Sequence, residues 1–252
     1  AFVVIETKVV RAPLMPFGLF RSRGLTAANV AMLFAGGAMF SMWFFVSLYL
    51  QDVLRFSPLV TGVGFLPQTA AIAIGAQISS RLVPRYGPRL PLLVGVLMSA
   101  SGLEWLSHAG PTGSYWGSVF GGADLATFGM GLAITPLAFA ATAGVAPTRA
   151  GLASGVLNTS RQIGASIALA ALATIAADRT QTLLARGHLA VPTASHRAAA
   201  LTAGFSRGFM WAALIALVGV VAGLFVPRPA TQRDMVATES KAATTEAADR
   251  HA

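Results

Sequence analysis

Two ionisable side chains stand inside stretches of hydrocarbon character: Asp124 in YWGSVFGGADLATFGMGLAITP, and Arg161 in RAGLASGVLNTSRQIGASIALAALATIA. Burial favours a neutral carboxylic acid and a nearby guanidinium favours its carboxylate, so a guanidinium that moves relative to the acid would load and release a proton. That is the coupling a proton-driven carrier needs. A helical rise of about 1.5 Å per residue puts Asp124 about 13 Å below the outer end of its segment and Arg161 about 18 Å above the inner end of its own; in a hydrocarbon core about 30 Å thick these depths nearly coincide. The expectation is therefore that Asp124 and Arg161 interact, directly or through water. Proton coupling, a structural pair that locks two helices, and no contact at all are the three readings of that placement.

Arg161 has polar company. At 100° per residue, Ser154, Asn158, Arg161, Gln162 and Ala165 fall on one face of a helix. A centrally placed arginine costs about 2.5 to 3.5 kcal/mol on insertion scales, so this face should look toward other helices or a wet cavity, with the neighbouring segments wrapped around it. Gly151 and Gly155 stand four apart, as do Gly164 and Ala168, the spacing that lets helix backbones approach. Gln68, with Asn158 and Gln162, either lines a substrate path or bonds between helices. Trp43, Phe44 and Phe45 either stack a flat organic molecule or anchor a helix end at the lipid interface.

The elements that must position these groups follow from composition. Of 252 residues 55% are hydrophobic and only 11% charged, with a mean hydropathy of +0.67, whereas a soluble domain carries about 25% charged residues. A spanning helix needs about 20 mostly apolar residues. Windows of that kind lie at about 26–50, 57–82, 90–106, 115–145, 149–177 and 208–226, and the thirty residues 178–207 read as a long connection with an interfacial helix around 180–186. The fold class is all-α: a polytopic membrane protein. Residues 1–25 read as the end of a preceding linker helix and a cytoplasmic or interfacial loop, 26–226 as a six-helix domain, and 227–252 as a disordered tail too poor in apolar surface to fold alone. The missing initiator Met suggests a fragment. With no cysteine there is no disulfide or thiolate-metal site, and His108, His188, His196 and His251 lie outside the apolar windows, which argues against an intramembrane enzyme.

The net charge of +9 comes from basic residues set singly between hydrophobic runs, which favours topology over nucleic-acid binding. Lys8, Arg11, Arg21, Arg23, Arg81, Arg85, Arg89, Arg149, Arg228, Arg233, Lys241 and Arg250 would share one side, and only Arg55, Arg179, Arg186, Arg197 and Arg207 the other. Positive residues favour the cytoplasm, so both ends of the chain are expected there, in the cell membrane. A shift of 93 positions lays Thr61-Gly62-Val63 on Ser154-Gly155-Val156 and Gln68 on Arg161. Those two helices would run in opposite directions, as in the 3+3 inverted repeats of secondary transporters.

Several motifs now add up to a family. GLASGVLNTSRQIGASIALA resembles the penultimate-helix signature of the fourteen-helix drug:proton antiporter branch of the major facilitator superfamily. PLMPFGLFRSRGLTAAN, GVGFLPQ, FGMGLAITP and LTAGFSRGF resemble that branch's later helices in the expected order. The resemblance implies the C-terminal six-helix half of a carrier that exports small organic substrates against protons, with membrane lipids and a missing N-terminal half as partners and no cofactor, metal or enzymatic activity. The branch's cytoplasmic motif, Gly-x-x-x-Asp-Arg-x-Gly-x-Arg, is matched at Arg85, Gly87 and Arg89, in a basic turn that also holds Arg81. Ser80 and Pro84 replace its Gly and Asp, which puts a charge-relay role in doubt.

Overall fold

The computed structural model describes residues 22–143, 145, 147–186 and 193–226. Helix starts coincide with side-chain caps where the sequence offers them. Ser22 accepts from the Leu25 amide ahead of α1 (Arg23–Leu48), which runs on through a π-turn over Tyr49–Val53. Ser57 caps α2 (Pro58–Gly64), with proline at the first helical position, where its missing N–H costs nothing. Then come α3 (Leu66–Tyr86), α4 (Arg89–Ser107), a π-turn over Tyr115–Phe120 leading into α5 (Gly121–Thr142), α6 (Ala150–Arg186) and α7 (Ala194–Leu224). Among the described residues six helical spans are long and apolar enough to cross a membrane, α2 and α3 together forming one of them. The chain is a multi-pass membrane protein.

Three expectations change. The second window is two helices. Pro67 has no N–H to give the Val63 carbonyl, and the chain breaks at Phe65, whose own amide turns back to Gly62 and Val63. The long connection is mostly helical: α6 continues to Arg186 and α7 begins at Ala194, so the proposed interfacial helix at 180–186 is simply the end of α6. Thr180 Oγ1 donates to the Ala176 carbonyl at 2.9 Å and to Ala200 across the pair at 3.3 Å. A window of hydropathy detects apolar length, whereas these Ala- and Thr-rich turns are helical without being apolar. The third change concerns the centre. The most buried spans are α1 and α5, and α6 lies at the edge with much of its surface open. Residues 1–21 and 227–252, and with them the linker and tail assignments, lie outside the described residues.

Small residues set the packing. α4 and α5 cross with Gly95, Ser99 and Gly102 against Gly122, Ala126 and Gly129, close enough that a Cβ on Gly102 would stand 2.5 Å from the Gly122 carbonyl. α3 meets α5 through Gly75 and Gly131, and α1 meets α6 through Gly36, Gly37 and Gly164. The main contacts of α1 are with α6 and α7, and those of α5 with α3 and α4. This arrangement maps onto itself when the first three spans are exchanged with the last three. Gly62 and Gly155, equivalent under the 93-residue shift, both have open space where a Cβ would stand.

Hydroxyls tie the same helices. Ser79 Oγ donates to Leu132 O at 2.7 Å and Ser99 Oγ to Ala126 O at 2.8 Å, both buried. Interhelical bonds of this kind are worth about 0.6 to 2 kcal/mol in a membrane. Ser99→Ala should lower stability within that range, read as a shifted midpoint in denaturant unfolding from detergent micelles, with the helical content of the folded state unchanged.

Candidate functional site

α6 divides into two sides. Toward α1, Ser160 Oγ donates to Asn29 Oδ1 at 2.8 Å, while Asn29 Nδ2 donates to the Leu25 carbonyl at 2.8 Å, and Gly164 rests on the Leu33 backbone. On the other side Ser154, Asn158 and Gln162 are exposed, and Arg161 is half-buried between the two. Its guanidinium donates through Nη2 to Asn158 Oδ1 at 2.7 Å. Room for the arginine comes from α1, since a Cβ on Gly36 would stand 2.8 Å from Arg161 Cγ. The polar face thus looks away from the chain's own core. Gly151 and Gly155 correct the sequence reading: nothing lies within 4 Å of a Cβ on either, so they do not pack helices of this chain, whereas Gly164 does.

Asp124 does not meet Arg161. Its Oδ2 is buried with no hydrogen-bond partner, and Arg161 bonds Asn158 instead. The two are separated laterally, since α5 packs on α3, α4 and α1 and touches α6 only sparsely, and axially, since Arg161 lies at the level of Gly36 whereas Gln68, at the level of Asp124, shares a cleft with Trp43 and Leu169. Asp124, Phe128, Gly131 and Thr135 follow one face of α5, and it is the face that meets α3. The Ser79–Leu132 and Thr135–Ala76 bonds, 53 and 59 positions apart, set a parallel register that brings Gln68 level with Asp124. Gln68 is 2% exposed, and neither Oε1 nor Nε2 has a partner. Two orphaned polar groups therefore share one level of the α3–α5 seam without a hydrogen bond between them. The signal for this was present in the sequence as matching polar, bulky apolar, glycine and hydroxyl residues at 68, 72, 75, 79 and 124, 128, 131, 135.

Between α1, the α2–α3 break and α6 lies a cleft of about 680 Å³, lined by Phe40, Trp43, Phe44, Ser47, Phe65, Gln68, Thr69, Ile72 and Leu169. Phe40 and Trp43 stand edge to face with centroids 5.6 Å apart. The proline-imposed break places Phe65 on this wall, which the sequence reading missed, as it missed Phe40 and Leu169. Phe45 turns the other way, 1% exposed against Phe205 and Phe209. A second cleft of about 600 Å³ opens nearby at the ends of the helices remote from Arg81 and Arg85, walled by Val60, Val63, Tyr115 and Trp116 among others. Tyr115 closes its floor by donating to the Gly64 carbonyl at 2.7 Å.

At the opposite end α3 runs to Tyr86, with Arg81 and Arg85 exposed in its last turns and Arg89 opening α4. The reversal between them needs Gly87, at φ 75°. No group of three His, Asp or Glu placed to hold a metal exists among the described residues.

These features define a helical membrane protein with an open polar face on α6 and an aromatic cleft further along the same helix. The chain belongs to the Major Facilitator Superfamily, whose family model matches residues 4–169. It is 38% identical over 181 residues to the cephamycin export protein CmcT of Amycolatopsis lactamdurans, covering 71% of this chain and 37% of that protein. It is 33% identical over 188 residues to the puromycin resistance protein pur8 of Streptomyces alboniger, covering 73% and 37%. It is 35% identical over 182 residues to the tetracenomycin C resistance and export protein of Streptomyces glaucescens, covering 71% and 33%. The chain spans little more than a third of the length of these relatives.

Proposed function

We propose that this chain is the C-terminal half of a proton-coupled exporter of amphipathic organic solutes in the cell membrane, with both of its ends in the cytoplasm. The observation that carries the reading is the open polar face of α6. A guanidinium at hydrocarbon depth, turned away from its own bundle and bordered by an aromatic cleft, requires water or a second protein wall opposite it. A cavity between two halves supplies both, and binding sites of secondary transporters lie near mid-membrane between repeats. The relatives named above support export of organic molecules, and the excess of basic residues on one side supports the orientation.

The experiment joins residues 1–252 to the partner half and measures uptake of a fluorescent amphipathic dye into inverted vesicles. Accumulation should follow an imposed pH gradient and collapse on adding a protonophore; accumulation indifferent to the gradient would overturn the proton coupling. Trp43→Ala combined with Phe44→Ala should raise KM for an aromatic dye by about tenfold, each lost ring contact being worth roughly 0.5 to 1.5 kcal/mol. Because this chain supplies one wall only, reconstituted alone it should insert and give no dye flux above protein-free liposomes.

A further inference from the structure

Among the described residues Arg161 has no counter-ion. The acidic groups of the described residues are Asp52, Glu104, Asp124 and Asp178. Asp52, Glu104 and Asp178 lie toward the outer ends of their helices, and Asp124 faces α3. Of the donors on the guanidinium, Nη2 is engaged by Asn158, which steadies the group without neutralising it. Eight residues further along α6, about 12 Å outward, Leu169 forms part of the wall of the aromatic cleft. Asn158, Gln162 and Leu169 fall within roughly 40° of each other around the helix axis, on its open side. The guanidinium and the cleft are therefore two ends of one continuous surface. The cleft wall carries four aromatic rings and no charged side chain, so it suits the ring system of a ligand and offers nothing to the ligand's charge.

Resting on the exporter reading, we infer that Arg161, steadied by Asn158, is the seat for the anionic end of the transported molecule, and that the substrate class is an aromatic amphiphile carrying a single carboxylate about 12 Å from its outermost ring. The rings occupy the cleft of Trp43 and Phe44, and the carboxylate accepts from the guanidinium N–H groups that Asn158 leaves free, an arrangement that planar arginine suits better than lysine. A cationic amphiphile of the same shape meets like charge at the same place and is disfavoured.

The test uses residues 1–252 in nanodiscs of zwitterionic phosphatidylcholine, with 1-pyrenebutyrate, its methyl ester and 1-pyrenebutylamine as probes, read by energy transfer from Trp43 to pyrene. The signal from the cleft is the part lost in Trp43→Phe. Pyrenebutyrate should bind at least about tenfold more tightly than the ester, as expected for charge-assisted hydrogen bonds, and the amine more weakly than either. Arg161→Gln should bring the acid-to-ester ratio close to one while ester affinity holds, and Arg161→Lys should keep part of the preference. An unchanged ratio in Arg161→Gln, or tighter binding of the amine, overturns the assignment. If the preference vanishes once the partner half is joined, a carboxylate of that half occupies the guanidinium and the assignment also falls. Anion preference without proton-driven export would sink the exporter reading alone; export without anion preference would sink this site alone.

Discussion

Gly164→Val is expected to stop α6 from seating on α1. A Cβ at Gly164 would run into the Leu33 carbonyl and its backbone neighbours, and a Cβ on Gly37, one turn further along α1, would stand 2.9 Å from the Gly164 carbonyl. The obstacle is main chain in the middle of a helix, so no rotamer change relieves it and the two helices must separate. Overpacking of this kind costs typically about 1 to 3 kcal/mol and more when backbone is the obstacle. Separation also takes Ser160 away from Asn29, leaving buried polar groups unpaired. The variant should unfold at distinctly lower denaturant concentration, or fail to give a monodisperse peak in detergent. Gly155→Val on the same helix provides the contrast. Nothing lies within 4 Å of its Cβ, so stability of this chain should be unaffected apart from a small propensity change. Equal loss in both variants would mean that the α1–α6 contact does not decide stability.

Asp124→Asn in the joined carrier should abolish accumulation against a gradient while leaving substrate binding in place. The substitution keeps shape and removes the one carboxyl proposed to carry the proton. Asp124 Oδ2 is buried without a partner, so no native bond is lost, and the new amide stands level with Gln68, which also lacks one. Transport should then become facilitated exchange, in which dye equilibrates across the membrane and an imposed pH gradient no longer drives it uphill. Gradient-driven accumulation that survives Asp124→Asn removes this carboxyl from the coupling. With no contact between Asp124 and Arg161 within this chain, Arg161→Gln is not expected to reproduce the effect. The two variants therefore separate the proposed proton site from the proposed substrate site.

Much of the architecture was legible in the residues. The run of apolar windows, the start at position 57, the turn at Gly87 and the polar face of Asn158, Arg161 and Gln162 all follow from local periodicity and turn chemistry, which act within a few residues; the start of α1 was read at 26 instead of 23 because the cap at Ser22 went unread. The break at Phe65 was half legible: Pro67 marked it, but hydropathy ran straight through. The ends of α6 and α7 were misjudged because helicity and apolarity part company in the Ala- and Thr-rich turns near Thr180. Of the aromatic run, Trp43 and Phe44 reach the cleft and Phe45 the core. That division depends on where α7 brings Phe205 and Phe209, which local pattern does not state.

What the residues determined by themselves is local: which stretches are helical rods, and where along its own rod each of Asp124, Arg161 and Gln68 stands, since that is only residue count times a fixed rise. Lateral position, and the level of one rod against another, belonged to the tertiary structure. Glycine and alanine faces on several helices are compatible with several pairings, and only the packed bundle selected α1 with α6 and α5 with α3. That selection moved the centre from α6 to α1 and α5, and it set Asp124 level with Gln68 instead of beside Arg161. It also left the guanidinium facing outward, because close packing joins the surfaces that fit with least space between them, wherever their polar groups stand.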